Sequence, residues 1–219
     1  MKEKILLSKT GLGKDENQDA ICCLEENNAI FVSISDGLGS SKYSKSGAEK
    51  AASVACLLLK KGTPSFRELI FEWRKSIDSN DLDDFDATIR FLAIDDNKIV
   101  VGGVGDGLTA LLVDGLFYSI GKRGVFSNQT DSLNSPYGEE NYWINEFPYH
   151  KEAVVILATD GFSEDLDENG IPNLLEDFFY GIFADKQKLE NDLRSLLDNW
   201  PIKSNCDDKT IAITAIRRP

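Results

Sequence analysis

The sequence predicts an α+β fold built on antiparallel sheets. Three observations carry that expectation. Short strands are followed by two consecutive helices, then by a long series of strands, a helix and a last strand. Two of the strand pairs are joined by turn-forming links, Asp95-Asp96-Asn97-Lys98 and Asp114-Gly115, of the kind that close hairpins. Strands do not alternate with helices, so the βαβ unit of a parallel, doubly wound sheet is not written here. No internal repeat, low-complexity tract or Pro/Ser-rich linker divides the 219 residues. They are expected to form one domain, 1–219, with room for a sizeable core.

Residues 5–8 and 20–24 are short strand candidates flanking a polar, glycine-containing segment. Residues 29–35 (AIFVSIS) form a stronger strand that stops at Asp36-Gly37. Ser46-Gly47-Ala48-Glu49 has capping-box spacing, and the apolar positions Ala51, Val54, Ala55 and Leu58 continue a helix toward Lys60-Lys61-Gly62. A second helix starts after Thr63-Pro64, with Phe66, Leu69, Ile70, Trp73 and Ile77 on one face. The acidic stretch 78–86 reads as a solvated loop. Strands are expected over 87–94, 99–104, 108–113 and 116–120, and residues 122–150 read as an irregular surface segment. Residues 153–158 (AVVILA) form a wholly apolar strand ending at Thr159-Asp160-Gly161. Leu189, Leu193, Leu196, Leu197 and Trp200 mark a third helix, and residues 210–216 a closing strand.

Composition removes several classes of function. Twenty-four Lys and Arg face 37 Asp and Glu, a net charge of −13, which argues against binding nucleic acid or an anionic membrane surface. No apolar run approaches the ~20 residues of a membrane span. The start Met1-Lys2-Glu3-Lys4 leads into no secretory segment, so a cytoplasmic protein is expected. Cys22, Cys23, Cys56 and Cys206 include no C-x-x-C and read as reduced packing residues. His150 is the only histidine and no G-x-S-x-G occurs, which leaves no serine triad; His150 itself reads as an ordinary loop residue. Gly11-Leu12-Gly13-Lys14-Asp15 lacks the spacing of a nucleotide phosphate loop.

What remains is a set of carboxylates at the ends of apolar strands. Asp36, Asp106 and Asp160 each follow such a strand and precede a glycine, Asp207 and Asp208 stand before the last strand, and Asp19 before an early one. Taken singly, Asp-Gly is a hairpin signal. At Asp114-Gly115 the strand pattern resumes at once, as a hairpin demands. After Asp36-Gly37 and Asp160-Gly161 long polar stretches follow, so those pairs are not hairpin turns. Converging carboxylates repel one another unless divalent cations join them. Mg²⁺ and Mn²⁺ prefer oxygen ligands, and a pair of such ions suits hydrolysis of a phosphate ester.

The motifs Asn17-Gln18-Asp19, Asp36-Gly37-Leu38-Gly39, Gly105-Asp106-Gly107, Thr159-Asp160-Gly161 and Asp207-Asp208-Lys209-Thr210 occur in the order and rough spacing of the protein phosphatase 2C-like family. The chain resembles the compact bacterial branch of these metal-dependent Ser/Thr phosphatases over nearly its whole length. The resemblance implies a pair of packed antiparallel sheets flanked by helices, and phosphorylated proteins as substrates, opposed to a cognate Ser/Thr kinase, with a monomer expected. By position it implies that Asp36 bridges two Mn²⁺ or Mg²⁺ ions. Asp160 and Asp207 resemble ligands of the first, the Gly37 carbonyl and Asp19 ligands of the second. Asp106 matches an aspartate that helps hold a third, looser ion together with Asp160. Lys14 stands where many members place an arginine that grips phosphate, which makes Asp36, Asp160 and Lys14 the candidate catalytic residues. Asp208 reads as a solvated neighbour or an outer hydrogen-bond acceptor.

The sequence departs from the family pattern in places. Lys14 is a point charge where a guanidinium would be a fork. Gly39-Ser40-Ser41 departs from the usual Gly-Gly pair, and Gly107-Leu108 replaces Ser-Arg. The stretch between Ile120 and Ala153 is short for the flap that fuller members carry there. Two other readings stay open: a binding module of the same fold without turnover, and a phosphatase of small phosphorylated molecules.

Overall fold

The computed structural model describes residues 1–120 and 131–218. Two five-stranded sheets face each other. The first has the order β1 (Lys2–Lys9), β10 (Lys209–Arg217), β9 (Glu152–Ala158), β6 (Leu108–Val113) and β7 (Leu116–Ile120). The second has the order β2 (Asp19–Glu26), β3 (Ala29–Asp36), β4 (Ile89–Ile94), β5 (Lys98–Val104) and β8 (Trp143–Pro148). Every neighbouring pair is antiparallel. The outer face of the second sheet carries α1 (Ser44–Leu59) and α2 (Phe66–Ser76); that of the first carries α5 (Ile171–Asp198). Two four-residue helices, α3 (Gly138–Asn141) and α4 (Asp160–Ser163), lie in connections.

The all-apolar strands follow from this layering. Alternate side chains of a strand point to opposite faces. In β9, Val154, Ile156 and Ala158 pack against α5, while Ala153, Val155 and Leu157 enter the core between the sheets. In β3, Val32 and Ile34 face the inter-sheet core and Phe31 faces the helices. The small residues Ala48, Ala51, Ala52 and Ala55 let α1 lie close on that sheet.

Several local expectations are corrected. The capping box sits on α2, where Ser65 and Glu68 cap each other reciprocally, and not at Ser46–Glu49. The helix α1 starts three residues earlier, after Tyr43 and without a side-chain cap. Tertiary bonds hold its start instead: Tyr43 N–H donates to the Asp84 carbonyl at 2.7 Å and Ser41 Oγ to that of Asp83 at 2.6 Å. These bonds also remove the 78–86 stretch from the solvated class, at least in its second half. Asp86 is half-buried and accepts from Ser132 Oγ at 2.5 Å and from the N–H of Asn134 at 3.0 Å. Burial raises its pKa, against the pull of those donors.

The part of 122–150 that is described, residues 131–150, is more ordered than expected. It contains β8, an edge strand whose Trp143 and Phe147 reach the inter-sheet core while Ile144 faces the helices. Residues 121–130, including the rest of that segment, lie outside the described residues. The third helix is the second half of α5. Asp185 breaks the helical path with φ −156° and ψ 86°, and its carboxylate accepts from Lys188 N–H at 3.0 Å, as an N-cap would.

Candidate metal centre

The carboxylates meet because strand ends meet. In the β2–β3 ladder Asp19 lies directly opposite Asp36. In the other sheet, Ala158 at the end of β9 pairs with Ile211 of β10 and with Leu108 of β6. That register brings Asp160, Asp207 and the β5–β6 turn with Asp106 to one edge. Carboxylate oxygens of Asp36, Asp106 and Asp160 all lie within 4.8 Å of one another. Gly37 continues from Asp36 as a bridge to Ala87, and a Cβ there would stand 2.6 Å from the Ser44 carbonyl. The glycine therefore lets the chain pass under the start of α1 beside the cluster.

These groups are held in a strained electrostatic state. Burial, then the charges of Asp19, Asp160 and Asp207, push the Asp36 carboxyl well above the ordinary carboxylate range. Burial and the charges of Asp106 and Asp207 push Asp160 up to about 7. Asp19, buried opposite Asp36, is pushed up to about 6 by burial, despite the hydrogen bonds of Thr210 and Thr159; the Thr159 hydroxyl donates to it at 2.9 Å. A half-buried set of hard, mutually repelling oxygens is what a divalent cation relieves, so the donor set fits Mn²⁺ or Mg²⁺.

Asp207 and Lys14 close one side. The Lys14 ammonium is hydrogen-bonded to Asp207 and reaches Asp208 Oδ2 at 3.1 Å. Partial burial opposes its charge, but these two carboxylates outweigh it and raise its pKa. The solvated reading of Asp208 is wrong. Its side chain is 1% exposed and accepts from the N–H groups of Gly11 and Gln18, each at 2.8 Å. The loop before β2 folds over it, so Asp208 ties the Lys14 loop to the start of β10. An open cleft of about 630 Å³ runs over the carboxylates, lined among others by Leu12, Lys14, Gln18, Gly39 and Cys206. Cys206 is exposed there rather than packed.

The sequence reading overlooked Thr159 and Arg90. The Thr159 hydroxyl both donates to Asp19 and accepts from Thr210 N–H at 3.1 Å, linking the two sheets under the cluster. Arg90 lies fully buried behind Asp106. A lone guanidinium inside IRFLAI was the available signal. The structure also accounts for Gly107. Its φ is +104°, and a Cβ would lie 2.5 Å from the Ala158 carbonyl and 2.9 Å from Arg90 Nε, so no serine fits.

Comparison with known proteins completes the picture. A sequence profile of the family described as Protein phosphatase 2C matches residues 13–198. No curated protein matches the sequence. Solved structures match over nearly the whole chain. The serine/threonine phosphatase of S. agalactiae superposes with a TM-score of 0.70 at 17% identity, covering 98% of this chain and 99% of that one. The catalytic domain of the serine/threonine protein phosphatase PstP, in complex with two manganese ions, gives 0.70 at 16% identity, covering 99% of each. RsbX in complex with magnesium gives 0.66 at 17% identity, covering 98% of this chain and 94% of that one. At such identities the likeness shows the fold.

Proposed function

The chain belongs to the protein phosphatase 2C family of metal-dependent serine/threonine phosphatases, and on that premise we propose that it hydrolyses phosphoserine and phosphothreonine in proteins at a centre bridged by Asp36. The observation that carries the assignment is the meeting of Asp36, Asp106 and Asp160 oxygens within 4.8 Å. Asp36 would bridge two ions, with Asp160 and Asp207 on the first and Asp19 and the Gly37 carbonyl on the second. Asp106 with Asp160 would hold a looser third. When bound, Mn²⁺ or Mg²⁺ supplies Lewis-acid polarisation and lowers the pKa of water at the site.

The chain's own groups then do three things. Asp36, Asp160, Asp19 and Asp207 would supply the negative charge that fixes the ions, with Asp19 oriented by the Thr159 hydroxyl, Asp207 by the Asp208 N–H and Asp160 by the Gly161 N–H. Lys14 lines the cleft with its ammonium on Asp207 and Asp208, and from there would attract the phosphate dianion as a point charge. The cleft is open, which suits a phosphorylated side chain on an extended segment. The full carboxylate set disfavours a binding module without turnover.

No helix of the described residues is long and apolar enough to cross a membrane. The four cysteines are free, in keeping with a reducing compartment, and we place the protein in the cytoplasm as a monomer, in signalling opposed to a Ser/Thr kinase. The test is release of phosphate from a phosphothreonine peptide. It is expected to need Mn²⁺, to stop with chelator, to return when Mn²⁺ is restored, and to fall by roughly a thousandfold or more, ~4 kcal/mol of barrier, in Asp36→Asn. Hydrolysis retained in that variant overturns the assignment of Asp36.

A further inference from the structure

Arg90 occupies an inward position of β4. Leu92 and Ile94, two and four residues on, fill the core between the sheets, and Arg90 takes the same face at the carboxylate end with 2% of its surface exposed. All three of its nitrogens are used. Nε donates to the Asp106 carbonyl at 3.0 Å, Nη2 to the Gly105 carbonyl at 2.9 Å, and Nη1 to Thr109 Oγ1 at 3.2 Å. The Trp143 ring lies 5.7 Å from Cζ. A buried cation is costly, and its hydrogen bonds go to a turn and to a strand of the opposite sheet.

The two carbonyls belong to the peptide groups on either side of the Asp106 Cα. Both neighbours of Asp106 are glycines in the left-handed region, each with φ +104°, the residues with the weakest backbone preference of their own. Without an external hold, Gly-Asp-Gly gives little definition to the direction of the Asp106 carboxylate. A planar fork that binds the carbonyl on each side removes that freedom, because fixing both peptide planes fixes the Cα–Cβ vector. Gly107 carries no side chain at the point where the fork enters.

We propose that Arg90 is a positioning residue of the metal centre, aiming Asp106 at Asp36 and Asp160 and thereby setting the Asp106-dependent part of its divalent-cation affinity. This rests on the metal-centre reading above and adds Arg90 to it. A methionine at 90 would keep the length and apolar bulk and lose the donors; a lysine would keep the charge and lose the fork.

The test is a Mn²⁺ titration of the purified protein, with free ion read from its paramagnetic resonance signal, on the wild type, Arg90→Met, Arg90→Lys, Asp106→Asn and the double variant Arg90→Met/Asp106→Asn. Asp106→Asn and Arg90→Met are each expected to weaken the loosest class of Mn²⁺ sites by about 10–100-fold. The double variant is expected to bind like Asp106→Asn alone, since residues that act through one another are not additive. Arg90→Lys should fall between wild type and Arg90→Met, and it carries the test if Arg90→Met does not fold. Wild-type binding in Arg90→Met, a further tenfold loss when it is added to Asp106→Asn, or no effect of Asp106→Asn overturns the proposal. Failure of the functional reading looks different: there Asp36→Asn leaves hydrolysis intact, whatever happens at position 90.

Discussion

The dipeptide Asp-Gly stands at Asp114-Gly115 and at Asp36-Gly37, and the two regions use it in opposite ways. At the tip of the β6–β7 hairpin, Asp114 and Gly115 have φ +48° and +84°, the left-handed pair of a tight turn. The exposed Asp114 carboxylate accepts N–H groups from His150, Lys151 and Glu152 at 2.7, 2.8 and 3.0 Å. Slight burial works against its charge, but those three donors win and hold its pKa below the ordinary value. At the end of β3 the backbone stays extended and runs on to pair with Ala87. There Asp36 is half-buried among carboxylates and its pKa is driven up. One aspartate stabilises the fold by being charged; charge on the other is opposed by its surroundings, a cost that a bound cation would offset. Here the low-pKa carboxylate is tied into backbone amides, whereas the cluster of high-pKa carboxylates is the candidate site.

The largest test of that contrast is the effect of metal on stability. In the folded, metal-free protein Asp19 and Asp160 titrate near 6 and 7, and Asp36 well above the 3.8 of a free carboxylate. The folded state therefore binds more protons than the unfolded chain between about pH 4 and 7, and stability falls as pH rises through that window. Cations compete with those protons, so their effect grows over the same range. With Mn²⁺ at about a hundred times its Kd at each of two sites, the gain is ~2.7 kcal/mol per site, or roughly 10–20 °C in Tm at pH 7.5. The shift should be much smaller at pH 5. A Tm that ignores Mn²⁺, or a metal-free Tm that does not decline from pH 5 to pH 8, breaks the contrast.

Asp36→Asn comes next in size. Besides abolishing turnover, it removes the carboxyl group whose ionisation is opposed by burial and by the charges of Asp19, Asp160 and Asp207. At pH 7.5 the metal-free variant should be more stable than the wild type, by about 0.5–2 kcal/mol, the usual size of a substitution that relieves a strained site. The Mn²⁺-induced rise in Tm should shrink in the same protein. A metal-free Asp36→Asn that melts below the wild type would mean that Asp36 is a structural acceptor like Asp114.

Which parts of this were legible in the sequence depends on the range of the interactions. The apolar strands and their hairpins are written locally. So is the difference between Asp114-Gly115 and Asp36-Gly37, because a strand resumes directly after the first pair and a polar stretch after the second. Asp19, Asp36, Asp106, Asp160 and Asp207 were legible as carboxylates at strand ends that could converge on a metal, while the role of each came from the family resemblance. The edge strand β8 was not legible: Asn145 and Glu146 interrupt its apolar pattern, and its stability comes from the ladder with β5. Asp208 looked like one more surface acid, since the amides that bury it belong to Gly11 and Gln18, nearly two hundred residues away. Arg90 was visible as an oddity in an apolar strand, but its acceptors are backbone carbonyls, which carry no sequence signal.

The smallest expected effect sharpens the contrast most, because it has the opposite sign. Asp114→Asn keeps one side-chain oxygen, which can still accept from Lys151 and Glu152, whose N–H groups share Oδ1. It turns an amide NH₂ toward the N–H of His150, which now donates to Oδ2. One charge-assisted bond becomes a donor facing a donor, and the others lose their charge. Because the carboxylate stands in water, the loss is held to about 0.5–1 kcal/mol, a Tm lower by roughly 1–4 °C. It should be the same with and without Mn²⁺, since the Asp114 carboxylate bonds to the amides of His150, Lys151 and Glu152 and not to the candidate metal centre among the described residues, and phosphopeptide hydrolysis should stay within about twofold of wild type, under 0.5 kcal/mol of barrier. The contribution of Asp114 is present above the free carboxylate pKa and vanishes as pH falls through its lowered folded value, the reverse of Asp36. Thermal melts of the two variants side by side, metal-free at pH 7.5, should therefore bracket the wild type, Asp36→Asn above and Asp114→Asn below. Two shifts of the same sign would show that the environment of these two aspartates does not decide what their charge does to the fold.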